Sequence, residues 1–399
     1  MELTAASVCG HRLRAHHLYP RLPAGRLAEA AGACGIQNSP PGAWLTAMYN
    51  RMAHCTRAEL EQALERDKIL LQAWSIRGAP LVFPTAQAGV FLTPLQALPG
   101  EEPWIYTRGV SLALEQLSLS FDQALALVRE AAGCLAGRTV TGKDALDALL
   151  AAEAAPRLDA ARRAVWDGPS PYGVPGRQTG QTLGGAVASF LLRPCAFGGQ
   201  VVFGARAGQS PAFTSPQSWL GASLDAPADG ASLARRFVHC QGPAAPADFA
   251  AWLGASPSQA RRLWNLIAGE LMPVTVAGRA CWALAADADS LAAGGGQDCV
   301  TLAGPHDPYL DVHGPARAWI EPDEGRRRML WRTVANPGAV LAGGQAVGMW
   351  QVKTRAGGVE VTVTLWCPLP PAQRAAVQQA AEAWAAFQEK PLYRLTVRT

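Results

Sequence analysis

The chain has 399 residues, of which 49% are hydrophobic and 17% charged, and its formal net charge is +4. A single hydrophobic core stops growing at roughly 250–300 residues, so this length favours two or more packed modules. The apolar content, with 13 tryptophans, excludes a disordered chain. The net charge does not by itself indicate nucleic-acid binding, because many ordinary enzymes carry a similar charge.

Lysine supplies only four of the 35 basic residues and arginine supplies the rest. The planar guanidinium suits phosphate oxygens, although a GC-rich genome that favours arginine codons explains the same bias. Residues 1–18 carry charges where a secretory signal needs an apolar core, so we expect a cytoplasmic protein that does not span a membrane. The nine cysteines include no CxxC pair, which argues against a disulfide framework and a zinc cluster.

The first predicted module covers residues 1–100. Helical spacing at 24–34, 41–54 and 57–66 is followed by a strand-like stretch over 69–83. Thr56 and Glu59 have the spacing of a capping box at the start of the third helix. Three helices followed by a hairpin are typical of a winged helix.

The second predicted module, 101–228, repeats this order less clearly. Its predicted helices cover 108–135, 143–165 and 179–192, with Thr141 as the expected N-cap of the second. Apolar stretches at 200–205 and 212–214 predict a hairpin.

The third predicted module, 229–292, has helices at 231–240 and 246–253 and a helix from Ser256-Pro257 to Glu270, followed by a hairpin over 272–284. Serine as N-cap with proline in the first helical position is a typical helix start. The pattern predicts a helix-turn-helix with a wing.

The last predicted module, 293–399, has strands near 338–342, 346–353, 358–366 and 392–398 and a helix over 371–387. The predicted fold class is therefore α+β, with tandem winged-helix modules and a C-terminal mixed α/β module. Phosphate-binding GxxxxGK[ST] and GxGxxG loops, HExxH and GxSxG are all missing from the sequence, so we expect neither a cofactor nor a metal.

Four local patterns occur in order along the chain. They are Ala33-Cys34-Gly35-Ile36-Gln37-Asn38-Ser39; Gln72-Ala73-Trp74-Ser75-Ile76-Arg77-Gly78; Gly242-Pro243-Ala244 with Asp248-Phe249-Ala250-Ala251-Trp252; and Asp307-Pro308-Tyr309-Leu310 with Asn336-Pro337-Gly338 and Gly348-Met349-Trp350. Together they resemble the AlkZ/YcaQ family of winged-helix DNA glycosylases, which remove alkylated bases from DNA.

The resemblance implies a monofunctional glycosylase that hydrolyses the N-glycosidic bond of cationic N7- or N3-alkylated purines, including bulky or crosslinked ones. Gln37 matches the first catalytic residue of the family. The second is glutamine or aspartate in the family but Ser39 in this chain, and a family histidine after the Arg-Gly pair is replaced by Pro80-Leu81. We expect Gln37 to orient the attacking water, with Ser39 accepting or relaying a hydrogen bond.

The expected partner is double-stranded DNA, bound by a monomer that associates with the nucleoid. Predicted DNA-binding residues are Asn38, Trp74, Arg77, Arg177, Gln178, Thr179, Arg235, Arg236, Gln259, Arg261 and Arg262. Asp307 and Tyr309 are expected to pack the C-terminal module onto the rest. Two alternatives are a non-catalytic DNA-binding protein, acting as damage sensor or regulator, and an unrelated transcription factor with several winged helices.

Overall fold

The structure is a computed structural model that describes residues 1–102, 105–172, 180–294 and 299–399. These ranges form a mixed α+β fold with three three-stranded sheets and one five-stranded sheet. They contain no helix that is long and apolar enough to cross a membrane.

The N-terminal residues pack away from the segment that follows them. Strand β1 (Glu2–Leu3) and helix α1 (Ala5–Ala15) come first, and β1 pairs in parallel with Thr275 and Val276, which belong to a strand far along the chain. Residues 2–15 therefore belong with the sheet that contains Leu271–Val276, and the start of the first predicted module, 1–100, is corrected.

The first segment contains four helices around a small sheet. Its elements are α2 (Leu27–Gly32), β2 (Ile36–Gln37), α3 (Ala43–Arg51), α4 (Arg57–Glu65), β3 (Leu70–Trp74), β4 (Pro80–Pro84) and α5 (Ala88–Phe91). The sheet order is β2-β4-β3. The predicted capping box is confirmed: the Glu59 N–H donates to Thr56 Oγ1, and the Thr56 N–H donates to Glu59 Oε2.

The second segment has the same kind of sheet and two further helices. Its elements are α6 (Ser111–Leu117), α7 (Phe121–Ala131), β5 (Thr139–Thr141), α8 (Lys143–Ala154), α9 (Ala160–Trp166), α10 (Leu183–Phe197), β6 (Val202–Ala207), β7 (Ser210–Thr214) and α11 (Pro216–Leu220). Thr141 is not the N-cap that we predicted, because it ends β5 and pairs with Ala212 of β7. The predicted helices over 108–135 and 143–165 are each divided in two.

The third segment follows the prediction closely. Its elements are α12 (Gly230–Gln241), α13 (Pro246–Leu253), α14 (Pro257–Asn265), β8 (Leu271–Val276), β9 (Arg279–Leu284) and α15 (Ala288–Ala292). Ser256 is the N-cap of α14, as predicted, and its side chain accepts from the Gln259 N–H. This helix ends at Asn265 rather than at Glu270.

The C-terminal segment forms the largest sheet. Its elements are β10 (Val300–Ala303), α16 (Arg317–Ile320), α17 (Glu324–Leu330), β11 (Gly338–Ala342), β12 (Gln345–Arg355), β13 (Gly358–Leu365), α18 (Pro371–Phe387) and β14 (Leu392–Arg398). The strands lie in sequence order, and only β13 and β14 pair in parallel, with α18 connecting them. The predicted strands and the helix over 371–387 are confirmed, whereas β10, α16 and α17 were not predicted.

One element order occurs in the first three segments: helix, short strand, helix, helix, and two hairpin strands, with two extra helices, α6 and α9, in the second segment. The short strand pairs with the last hairpin strand in each case, through β2–β4 and β5–β7. In the third segment it is reduced to a single antiparallel bridge between Ala244 and Trp282. The three segments therefore share a topology although their sequences differ.

Specific side chains connect the segments. Trp74 of β3 stacks on Phe213 of β7, with ring centroids 5.1 Å apart. Arg51 of α3 forms a fully buried, bidentate ion pair with Asp307, with distances of 3.0 and 2.8 Å. This confirms that the Asp307 segment packs the C-terminal module onto the first.

Substituting Asp307 by asparagine should lower the free energy of unfolding by about 3–5 kcal/mol, because the Arg51 charge would stay buried without its counter-charge. Denaturant unfolding followed by tryptophan fluorescence measures the change. The control is Glu324→Gln, which breaks an exposed ion pair with Arg328 and should have no resolvable effect. Equal stabilities for the two variants would contradict a structural role for the buried pair.

Candidate active site

Backbone geometry places Gln37 at the surface of the first sheet. Gly35 adopts a positive φ of 71°, and a Cβ there would lie 2.8 Å from Leu81 Cδ2, so the turn out of α2 favours glycine. Ile36 and Gln37 then pair with Val82 and Leu81 of β4. Because side chains alternate along a strand, Ile36 is buried in the core and Gln37 points to the opposite side, half-buried.

The loop after Gln37 is held by Asn38 and not by the Ser39 hydroxyl. Asn38 is 4% exposed, its Nδ2 donates to Gln72 Oε1 (3.0 Å), and its Oδ1 accepts from the Gly42 N–H (2.7 Å). The prediction that Asn38 contacts DNA is therefore corrected, since both polar ends of its amide are used inside the protein. The carbonyl of Ser39 accepts a long hydrogen bond from Gln37 Nε2 (3.5 Å).

Arg77 lies at the centre of the site. Its Nη1 donates to the Trp252 carbonyl of α13 (2.7 Å), and its Nη2 contacts both Gln37 Oε1 (3.5 Å) and Asp311 Oδ2. Only 12% of the Arg77 side chain is exposed. The guanidinium therefore joins the first segment, the third segment and the C-terminal segment at one point.

Asp311 is the acidic group of this contact. Its other oxygen, Oδ1, lies 3.4 Å from His313 Nε2. Burial alone would raise the pKa of Asp311, but the charge of Arg77 outweighs it and the pKa is lowered to about 2. The carboxylate is therefore ionised throughout the physiological pH range.

These groups surround a cavity of about 300 Å³, called here the Gln37 cavity. Its polar lining residues are Gln37, Arg77, His306, Asp311, His313, Arg317 and Asn336. Among the described residues, Asp311 is the only carboxylate in this lining. Burial lowers the pKa of His306, with a smaller opposing effect from Asp311, which favours a neutral imidazole beside the ionised carboxylate.

A larger groove adjoins the Gln37 cavity and shares Asn336 and Pro337 with it. This basic groove has a volume of about 1000 Å³ and runs between the Pro40-Pro41 loop, the C-terminal sheet and the end of α18. Its charged lining residues are Arg57, Lys353 and Lys390, and no carboxylate lines it within the described part of the chain. Its positive charge suits a phosphate backbone.

Two predicted DNA-binding residues are buried, and these predictions are corrected. Trp74 is 4% exposed and packs between Phe203 and Phe213. Gln259 is fully buried, and its Nε2 lies within hydrogen-bond distance of the carbonyls of Pro94, Leu95 and Gln96. Both side chains connect segments of the protein and offer no surface to a duplex.

Three of the predicted basic contacts are engaged within the protein. Arg235 pairs with Glu270 and Arg262 with Glu101, both at 2.6 Å, while Arg236 donates to the Gly32 carbonyl and lies over the Phe91 ring. Burial lowers the pKa of Arg236. Arg261 is exposed on α14, and no hydrogen bond or ion pair to it is found in the ranges that the structure covers.

The predicted DNA contacts Arg177, Gln178 and Thr179 lie outside the described residues. Gln37, Arg77 and the backbone of Ser39 come together, whereas the basic residues of α12 and α14 do not line the Gln37 cavity. The Ser39 hydroxyl is likewise absent from that lining.

One group of potential metal ligands occurs among the described residues, namely His11, His239 and Asp287. His239 Nδ1 lies 2.9 Å from Asp287 Oδ1, and His11 Nε2 lies 2.9 Å from the His239 carbonyl. The second His11 nitrogen lies 2.9 Å from Ser290 Oγ. Both nitrogens of the buried His11 therefore have protein partners, and the group serves to connect α1, α12 and α15.

Sequence reasoning missed Asp311, His306 and His313, and also the lysines of the basic groove. Asp311 directly follows the Asp307–Leu310 motif, and an Asp-x-His spacing after it was the available signal. Lys353 and Lys390 are two of only four lysines in the chain, but nothing in the sequence places them beside the Pro40-Pro41 loop.

Comparisons with known proteins identify the family. A search of curated proteins finds no match. Among solved structures, the chain is similar to the Streptomyces sahachiroi DNA glycosylase AlkZ, with 22% identity, a TM-score of 0.74 and full coverage of both chains. The family described as DNA glycosylase AlkZ-like matches residues 30–387. Since this match spans most of the sequence, the chain belongs to the AlkZ-like DNA glycosylase family.

Proposed function

We propose that the protein is a monofunctional DNA repair glycosylase that hydrolyses the N-glycosidic bond of cationic N7- or N3-alkylated purines. The observation that carries this proposal is the position of Gln37, whose amide lines a polar cavity that adjoins a basic groove. A glutamine buried in a turn between two helices would have had no access to substrate.

The chemistry needs positioning more than strong acid catalysis. Alkylation at N7 or N3 gives the purine a positive charge, so the base leaves readily and the sugar develops oxocarbenium character. An amide carbonyl can orient the attacking water and stabilise that positive charge. The contacts of Gln37 with Arg77 Nη2 and with the Ser39 carbonyl, both at 3.5 Å, hold the amide in one orientation.

The shared topology of the first three segments supports their interpretation as winged-helix modules. We place them at about 16–100, 101–228 and 229–292, followed by the C-terminal module over 293–399. A monomer would bind one face of double-stranded DNA, with the phosphate backbone following the basic groove, and would lie in the cytoplasm on the nucleoid. Arg261 is a candidate for a further phosphate contact.

Replacing Gln37 by alanine should slow the single-turnover release of 7-methylguanine from methylated duplex DNA by at least about 100-fold. DNA affinity and thermal stability should change little, because the two hydrogen bonds of the side chain are long. Chromatography of the released base measures the rate, and Gln378→Ala on the exposed face of α18 is the matched control.

Undiminished release by the Gln37→Ala variant would exclude Gln37 as a catalytic residue. If the unmodified protein bound DNA but released no base from any cationic adduct, the glycosylase proposal would be wrong. A non-catalytic damage sensor or regulator would then fit the fold better.

The double variant Lys353→Gln/Lys390→Gln should weaken binding to duplexes of any sequence. The plot of log affinity against log salt has a negative slope, and each lost phosphate contact makes it less steep by about 1. The magnitude of the slope should therefore decrease by about 2. Fluorescence anisotropy over a salt series measures it. The charge-matched control is Arg157→Gln/Arg163→Gln, whose exposed arginines lie outside the groove. Equal slopes for both double variants would show that DNA does not follow the groove.

A further inference from the structure

The Gln37 cavity lacks the side chains that the family pattern places near the catalytic glutamine. Ser39 stands where the family has glutamine or aspartate, and Pro80-Leu81 stand where it has a histidine. The structure nevertheless places a carboxylate and two imidazoles in the same cavity, from Asp311, His306 and His313. All three come from the C-terminal segment, more than 260 residues after Gln37.

We propose that Asp311 is the catalytic carboxylate of this enzyme and that His313 receives the proton of the attacking water. The functional groups that the Gln37 loop lacks are thus contributed by the C-terminal segment. This inference rests on the proposed glycosylase function and assigns a further catalytic pair to it.

The contacts of Arg77 support the assignment. A single guanidinium nitrogen, Nη2, contacts both Gln37 Oε1 and Asp311 Oδ2, so the amide and the carboxylate lie on either side of one donor. Asp311 keeps 23% of its side chain exposed, which leaves the carboxylate accessible from the cavity. An ion pair with a purely structural function, such as Arg51–Asp307, is fully buried instead.

Electrostatics give the carboxylate its function. The transition state carries positive charge on the sugar, and a neutral amide offers only a dipole to balance it. Asp311 is the only anionic side chain among the described residues of the cavity lining. Arg77 keeps it ionised, so Asp311 stabilises a cation but cannot protonate a leaving base. The site therefore suits bases that are already cationic.

The step balances without a cofactor. The water oxygen forms a bond to C1′ while the bond between C1′ and the purine nitrogen breaks. The electron pair of the broken bond stays on the purine nitrogen and neutralises the charge of the alkylated base. The proton of the attacking water passes to the His313 imidazole and then to solvent. Asp311, 3.4 Å from His313 Nε2, stabilises the imidazolium that forms.

The test compares single-turnover release of 7-methylguanine by Asp311→Asn, Asp311→Glu and His313→Gln variants with the unmodified protein. Asp311→Asn should slow release about 100-fold with unchanged affinity for undamaged duplex DNA, and should lower the thermal midpoint less than Asp307→Asn does, because the Arg77–Asp311 pair is partly exposed. Asp311→Glu should retain release within about 10-fold, and His313→Gln should slow it about 10-fold or more. The matched control, Glu101→Gln, removes another arginine-paired carboxylate that lies outside the cavity and should release base normally.

Wild-type rates in Asp311→Asn would overturn the assignment of the carboxylate, and wild-type rates in His313→Gln would overturn that of the proton acceptor. If Asp311→Asn and Asp311→Glu both lost DNA affinity, or as much thermal stability as Asp307→Asn, together with release, Asp311 would be a structural partner of Arg77 and the inference would be wrong. Absence of release from the unmodified protein would contradict the proposed function itself. If Gln37→Ala abolished release and Asp311→Asn left it intact, only the assignment of Asp311 would be contradicted.

Discussion

The buried ion pair between Arg51 and Asp307 is the contact on which the geometry of the active site depends. Asp307 accepts from the Tyr309 N–H (2.9 Å) and begins a short 3₁₀ turn, and Tyr309 donates to the Gly344 carbonyl (2.6 Å). The turn thus fixes the chain between α3 and the C-terminal sheet. Asp311 follows directly and reaches Arg77, so a structural ion pair sets the position of the proposed catalytic carboxylate.

The basic groove and the Gln37 cavity differ in their charged side chains. The basic groove offers lysines and an arginine and no described carboxylate, as a polyanionic backbone requires. The Gln37 cavity beside it differs in containing an ionised carboxylate, Asp311, which lies among the arginines Arg77 and Arg317. Asn336 and Pro337 line both spaces, so the proposed phosphate contacts of the groove would place a nucleotide next to Asp311.

Local signals predicted the starts of α4 and α14, because the capping box at Thr56 and the Ser256-Pro257 start act within a few residues. The strands β2 and β5 were missed, since two or three residues show no periodicity and are defined by partners far along the chain. The same limit explains the errors at Trp74 and Gln259. Their types suggested DNA contacts, but their burial depends on Phe213 and on the carbonyls of Pro94 and Leu95.

The loss of the family's second catalytic residue is consistent with the presence of Asp311. The Ser39 side chain does not line the Gln37 cavity, whereas its backbone carbonyl accepts from Gln37 Nε2. The sequence motif around Gln37 therefore lacks the second catalytic side chain of the family. In three dimensions the cavity contains an amide and a carboxylate that are joined through Arg77, together with two imidazoles.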